Sequence, residues 1–141
     1  MWPQIGLEAL LVKKTSLISI VDDDQAVRGS IRRLMRSLGF TAETFCSAAA
    51  FLLSPSLDET ACLIADINMP EMTGVELYWR LIEAGRAIPT ILITAYPDDT
   101  VREHALSGGV VCYLRKPFDE TDLLLCVREA LERGGLDAMS L

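Results

Sequence analysis

The sequence predicts one α/β domain, a doubly wound (βα)5 unit around a five-stranded parallel sheet. Three observations carry this. Short β-branched apolar runs alternate with amphipathic stretches five times along the chain, and unbroken apolar runs are what strands covered on both faces require. The length, 141 residues, suits a single domain whose core needs neither disulfide nor zinc. Half the residues are apolar and 23% are charged, an ordinary globular composition.

The elements follow in order. Leu17-Ile18-Ser19-Ile20-Val21 is the first strand. Val27, Ile31, Leu34, Met35 and Leu38 then recur at helical spacing, and Gly39 closes that helix. Thr41 to Phe45 is a weaker strand, suited to an edge; Ser47 to Leu53 is a short helix stopped by Pro55. Ala61 to Ala65 is a buried third strand. Thr73 and Glu76 make a capping-box pattern ahead of Leu77, Leu81 and Ile82, with a stop at Gly85. Thr90 to Ile93 is the fourth strand, Val101, Ala105 and Leu106 mark a helix ending at Gly108-Gly109, and Val110 to Leu114 is the fifth strand. Asp119 caps a last helix carrying Leu123, Leu124, Val127 and Leu131, which is expected to end at Gly134-Gly135. Residues 1–14 read as an N-terminal extension, 15–134 as the domain and 135–141 as a tail or the start of a linker.

Several functions are excluded early. A net charge of −7 argues against a nucleic-acid surface, which needs clustered Lys and Arg. Cys46, Cys62, Cys112 and Cys126 contain no CxxC pair, which removes zinc ribbons and thioredoxin-like motifs. Cys62 and Cys112 lie in apolar runs as small hydrophobes, and the chain reads as reduced and cytoplasmic. A lone histidine, His104, excludes any pair of His ligands and reads as a helix-surface residue. No apolar stretch reaches the roughly 18 residues of a membrane span. Met1 to Leu11 lacks the basic start and cleavage site of a signal peptide.

In open parallel sheets, ligands gather at the carboxyl ends of the strands. Here those ends carry Asp22-Asp23-Asp24, Asp66, Thr94 and Lys116-Pro117. If the first and third strands are neighbours, Asp22, Asp23 and Asp66 converge, while Asp24 is free to cap the next helix. Two carboxylates about 4 Å apart repel by roughly 4 kcal/mol at an effective dielectric of 20, so such a cluster calls for a cation or a proton. Oxygen-only ligands suit Mg²⁺. Thr94 brings a hydroxyl donor and Lys116 a compact positive charge for phosphate oxygens. The set reads as an aspartyl-phosphate site.

On these pieces the chain resembles a bacterial two-component response-regulator receiver domain. They are Ile20-Val21-Asp22-Asp23-Asp24, Asp66-Ile67-Asn68-Met69-Pro70-Glu71-Met72-Thr73-Gly74, Leu92-Ile93-Thr94-Ala95 and Lys116-Pro117-Phe118. The resemblance spans about residues 16 to 133, and the Asp66 stretch with Val27-Arg28 is most similar to the FixJ-type branch. It implies a flavodoxin/CheY-like strand order of 2-1-3-4-5. It implies that Asp66 accepts a phosphoryl group from a sensor histidine kinase, with Mg²⁺ bound by Asp23, Asp66 and the Asn68 backbone carbonyl and by Asp22 through water. Thr94 and Lys116 would hold the acyl phosphate, Tyr113 would be the rotating aromatic, and the Lys116-Pro117 bond would be cis. The face of the fourth helix, fifth strand and fifth helix would then change shape, and a homodimer through it is one expectation.

The sequence departs from the pattern at Gly108-Gly109-Val110, where receivers of this type carry Ala-Gly-Ala; the bulkier Val110 is expected to alter how the fourth helix packs. The chain is expected to be a stand-alone receiver or the receiver fragment of a FixJ-type transcriptional regulator, since too few residues follow Arg133 for a recognition helix. Direct nucleic-acid or membrane binding is not expected, nor enzyme activity beyond self-phosphorylation and self-dephosphorylation. Two alternatives stand beside this: a pseudo-receiver that binds partners without phosphorylation, and a Mg²⁺-dependent aspartyl phosphohydrolase. The latter usually carries a second Asp where Asn68 stands.

Overall fold

A computed structural model describes residues 16–139; the predicted extension at 1–14 lies outside the described residues. Five parallel strands, β1 (Leu17–Val21), β2 (Thr41–Phe45), β3 (Thr60–Asp66), β4 (Thr90–Thr94) and β5 (Cys112–Arg115), form one sheet in the order β2-β1-β3-β4-β5. Among the described residues five α-helices connect and cover them: α1 (Gln25–Ser37), α2 (Ala48–Leu52), α3 (Gly74–Glu83), α4 (Asp99–Ser107) and α5 (Glu120–Met139). A 3₁₀ turn, Pro55–Glu59, follows α2.

Side-chain alternation sorts each central strand between two cores. Ile18, Ile20, Ile64, Ile91 and Ile93 pack with Ile31 and Met35 of α1 and Leu123 and Val127 of α5. Val21, Leu63, Ala65 and Leu92 face the other way, onto Phe51 of α2, Leu77 and Leu81 of α3 and Ala105 of α4. β1, β3 and β4 are therefore buried nearly throughout. β2, paired on one side only, alternates exposed Thr41 and Glu43 with buried Ala42, as its weak apolar pattern foretold.

The caps behave as predicted. Asp24 accepts from the Ala26 and Val27 amides at the start of α1. Thr73 and Glu76 form a reciprocal capping box, and Asp119 accepts from Thr121 N at the start of α5.

Two boundaries are corrected. β5 begins at Cys112, not Val110, because the Val110 amide closes the end of α4 on Ala105 O, across Gly109 at φ 107°. α5 does not stop at Gly134-Gly135 but runs to Met139. Glycine ends a helix by turning left-handed, and among the described residues the left-handed glycines are Gly39, Gly85 and Gly109.

The cysteines are corrected too. Cys112 on β5 and Cys126 on α5 are joined as a disulfide, with Cα atoms 6.0 Å apart. A separation of 14 residues carries no signal of this; only the packing of α5 across β5 brings the pair together. Cys46 and Cys62 are free thiols.

The departure at 108–110 has a packing cause. A side chain at Gly108 would place its Cβ 2.3 Å from Trp79 Cη2, so the indole of α3 occupies the space that an alanine would take. Tyr78 Oη adds a hydrogen bond to Gly108 O at 2.9 Å, and Val110 is buried in the same core. Together they fasten the C-terminus of α4 to α3.

Gly74, the first residue of α3, packs directly on the backbone of the residue that ends β3: a Cβ there would lie 2.4 Å from Asp66 O. Gly74→Ala should therefore lower stability by about 1–3 kcal/mol through overpacking, read as a fall in the urea midpoint. Gly29→Ala on α1, where the nearest atom is the exposed guanidinium of Arg33 on the same helix at 3.3 Å, should instead gain roughly 0.5–1 kcal/mol of helix stability.

Candidate functional site

The site forms where β1, β3, β4 and β5 end. β1 and β3 pair in parallel with Val21 opposite Ala65, which carries Asp22 and Asp66 out of the sheet side by side. Asp22, Asp23 and Asp66 each offer a carboxylate oxygen, all within 4.8 Å of one another. Their surroundings differ. Asp22 and Asp66 are buried, at 0% and 3% exposure, while Asp23 stands on the exposed rim. Asp22 Oδ1 accepts from the Asp24 amide at 2.9 Å, and Arg28 Nη1 donates to Asp22 O at 2.7 Å. The three consecutive aspartates thus divide into a buried site group, a rim group and a helix cap.

Lys116 reaches in from the end of β5, with Nζ 2.9 Å from Asp22 Oδ2 and 3.3 Å from Asp66 Oδ1. The Lys116-Pro117 peptide is cis. Burial, then the neighbouring Asp22 charge, raise the Asp66 pKa above its ordinary value, against the opposing effects of Lys116 and the Asn68 backbone N–H. Burial alone would lower the Lys116 pKa, but the Asp22 hydrogen bond and charge, then Asp66, leave it raised. The carboxylates hold the ammonium charged.

The loop after β3 is shaped by its own sequence. Met69 is buried at 6% and anchors it, Glu71 takes a left-handed turn at φ 69°, and Thr73 starts α3. Asn68 is thereby held beside β4, where its Oδ1 accepts the Thr94 hydroxyl at 2.6 Å. Thr94 Oγ1 also accepts from the Tyr96 amide at 3.0 Å. Tyr113, on β5, faces the α2–α4 side of the sheet, and its hydroxyl accepts from the Asp98 amide at the start of α4, 3.0 Å away.

The structure thus gathers Asp22, Asp23, Asp66 and Lys116 into direct contact or ligand-sharing distance. Asn68 and Thr94 are joined to each other at its edge, and Tyr113 stands apart at the α4 side. Three features were missed from sequence. The Asn68 side chain is an acceptor for Thr94, Arg28 braces the backbone of Asp22, and Tyr113 is tied to Asp98. An Asn two residues after Asp66 and the Val27-Arg28 pair were visible, but their partners lie on other strands or across a loop.

The residues fit a divalent cation. The donor set is all oxygen, as a hard cation requires, and Asp66 Oδ1 is buried without a hydrogen-bond partner among the described residues. Such an atom is costly unless something positive faces it, and Lys116 at 3.3 Å offsets part of that cost.

A doubly wound sheet with an acidic, lysine-braced pocket at its carboxyl edge is a flavodoxin-like architecture. Comparison with known proteins makes the assignment specific: residues 18–128 match the model of the response regulator receiver domain, and the chain belongs to that family. The chain is 40% identical over 119 residues to the response regulator protein TodT of Pseudomonas putida, covering 84% of this chain and 52% of that one. It is 35% identical over 117 residues to the transcriptional regulatory protein FixJ of Rhizobium meliloti, covering 83% and 55%. Among solved structures, the response regulator StyR superposes with a TM-score of 0.81 at 36% identity, covering 88% of this chain and 63% of that one. FixJ-N gives 0.73 at 32%, covering 82% and 93%. The chain spans about half the length of the curated relatives it matches. Membership makes it a phosphorylation-dependent signalling switch of the two-component type.

The buried like charges make a stability prediction independent of any signalling role. Asp66→Asn removes one carboxylate from the Asp22 pair and keeps the shape, so without divalent cation it should raise the urea midpoint. Added Mg²⁺ should narrow that gap by stabilising the wild type more than the variant. A variant less stable than wild type under both conditions would contradict the electrostatic account.

Proposed function

We propose that Asp66 is the phosphoacceptor, and that the chain switches state when a sensor histidine kinase transfers a phosphoryl group to it. The observation that carries this is the placement of Asp66: buried, beside Asp22 and Asp23, with Lys116 Nζ 3.3 Å from its carboxylate. In the transfer, an Asp66 Oδ atom bonds to phosphorus as the P–N bond to the donor imidazole breaks; the ring nitrogen keeps the bonding pair, and the imidazole leaves neutral with a proton taken from water. Asp23, Asp66 and the Asn68 carbonyl would hold Mg²⁺ directly, and Asp22 through water. The ion supplies charge neutralisation for the transferring group. Lys116 is already poised to turn from the carboxylates to phosphate oxygens.

The resting state is held by two hydrogen bonds. The Thr94 hydroxyl has one proton and gives it to Asn68; to donate to an acyl phosphate it must give up that bond. Tyr113 is held at the start of α4 by the Asp98 amide, and swinging away from α4 breaks that contact too. The α4–β5–α5 face is the part of the surface these two changes reach, and a homodimer through it is the output we favour. The chain acts in the cytoplasm, within a longer regulator of transcription or alone, and contacts no DNA itself. Its regulatory relatives support a switch without turnover of external substrates. Asn68, where a phosphohydrolase would place its second Asp, is engaged with Thr94.

Intact mass after incubation with acetyl phosphate and Mg²⁺ tests the acceptor. Wild type should gain one phosphoryl group and Asp66→Asn none. No gain, together with no Mg²⁺ binding, would make the chain a partner-binding pseudo-receiver. The Asn68 contact has its own test. Asn68→Ala frees Thr94, and because one neutral hydrogen bond is worth about 0.5–1.5 kcal/mol, the switched state should gain roughly two- to tenfold in population at a given degree of phosphorylation. Faster exchange of the Asp98 amide, which loses Tyr113 as its acceptor, reports it.

A further inference from the structure

The receiver mechanism makes no use of the Cys112–Cys126 bond, yet the bond joins the strand that carries Tyr113 to α5. We propose that Cys112 and Cys126 are a reversible redox pair that, when oxidised, locks β5 to α5 and blunts the response of the α4–β5–α5 face to phosphorylation. The second half of this rests on the receiver function proposed above.

The placement supports it. The two Cα atoms are 6.0 Å apart, inside the range a disulfide spans without backbone movement. Cys126 lies in the buried stripe of α5 with Leu123, Val127 and Ala130. Cys112 is only partly buried and packs on the same core. Tyr113, the next residue, points to the opposite core. A bond at Cys112 therefore pins the backbone from which Tyr113 must swing, from the side Tyr113 does not use. The reduced pair remains compatible with the fold, since a thiol in such a place packs as a small apolar group.

The other two cysteines are poor candidates for this role. Cys62 is fully buried in β3, and burial pushes its thiol up to about 12, which leaves almost no thiolate. Cys46 is exposed at the end of β2, on the far edge of the sheet. In a reducing compartment a disulfide is transient and sensing rather than structural.

The chemistry balances with a low-molecular-weight disulfide as oxidant. The partly buried Cys112 thiolate attacks it, forming a mixed disulfide and releasing one small thiol. The Cys126 thiolate then attacks Cys112 Sγ and releases the second. One S–S bond forms, one breaks, two electrons pass to the oxidant and the two cysteine protons end on the released thiols. Small thiols in excess reverse it.

The test uses the full chain with Cys46→Ser, in glutathione buffers from fully reduced to fully oxidised. Alkylation under denaturing conditions and intact mass should show two fewer adducts in oxidised than in reduced protein, and Cys112→Ala should show no such loss. Slow amides of β5 and α5 should exchange roughly a hundredfold more slowly in the oxidised form, the effect of closing a loop of about fifteen residues. Acetyl phosphate with Mg²⁺ should then change exchange across α4, β5 and α5 in the reduced chain, and several-fold less in the oxidised one. Equal adduct counts in every buffer overturn the proposal, and so does an identical phosphorylation response in both states. If the reduced chain gains no phosphoryl group, the receiver function falls instead, and adduct counts with β5 and α5 exchange still decide whether the pair is a redox cross-link.

Discussion

Two carboxylates buried side by side at the end of a parallel sheet, with one ammonium reaching both, form the contact on which the rest of this molecule turns. Asp22 and Asp66 are nearly inaccessible, and like charges at such separations cost several kcal/mol at effective dielectrics near 20. The fold accepts that cost because β1 and β3 must be adjacent for the sheet to close its two cores. Lys116, delivered by β5, offsets part of it. The remainder is an unsatisfied demand for positive charge, expressed in Asp66 Oδ1, which has the Lys116 ion pair but no hydrogen-bond partner among the described residues, and in the upward shift of the Asp66 pKa. A site that is electrostatically incomplete by itself is one that a cation and a phosphoryl group can complete together.

In the function proposed here, the surrounding elements would convert that incompleteness into a two-state device. Shifting a population from 1:99 to 99:1 takes about 5.5 kcal/mol of preference, and one charge-assisted hydrogen bond supplies about 1.5–3 kcal/mol. In the proposed switch Lys116 alone would therefore be too little, and metal, Thr94 and Lys116 would have to act together. The two contacts of Thr94 with Asn68 and of Tyr113 with Asp98 would set what such a switch must overcome. Both are neutral and singly bonded, weak enough to yield and strong enough to bias. The close fit of Trp79 over Gly108 and the Tyr78 bond to Gly108 O hold the far end of α4 to α3, so the end of α4 beside Asp98 is the end nearer to the proposed change.

Most of the fold was legible because each element carries a local signal. The strands were apolar runs, the caps at Asp24, Thr73 and Asp119 were short polar signatures, and the edge strand showed itself by its polar alternation. The misreadings share a cause. Val110 looked like strand because it is β-branched, yet its amide was needed to finish α4. Gly134-Gly135 looked like a stop because glycine usually is one, yet α5 continues through both. Cys112 looked like a small hydrophobe, and its pairing with Cys126 depends on two elements meeting in space.

By itself the sequence determined the (βα)5 class, the order of the elements and the short list of groups at the strand ends, because periodicity, caps and charged strand termini are written within a few residues of one another. Tertiary structure alone decided which of those groups touch. It put Asp22 in the interior and Asp23 on the rim, turned Asn68 into the acceptor for Thr94, gave the Tyr113 hydroxyl to α4 and brought two cysteines together across β5 and α5. These are contacts between strands, loops and helices distant along the chain. Their geometry follows from strand order and helix packing, which no local pattern encodes.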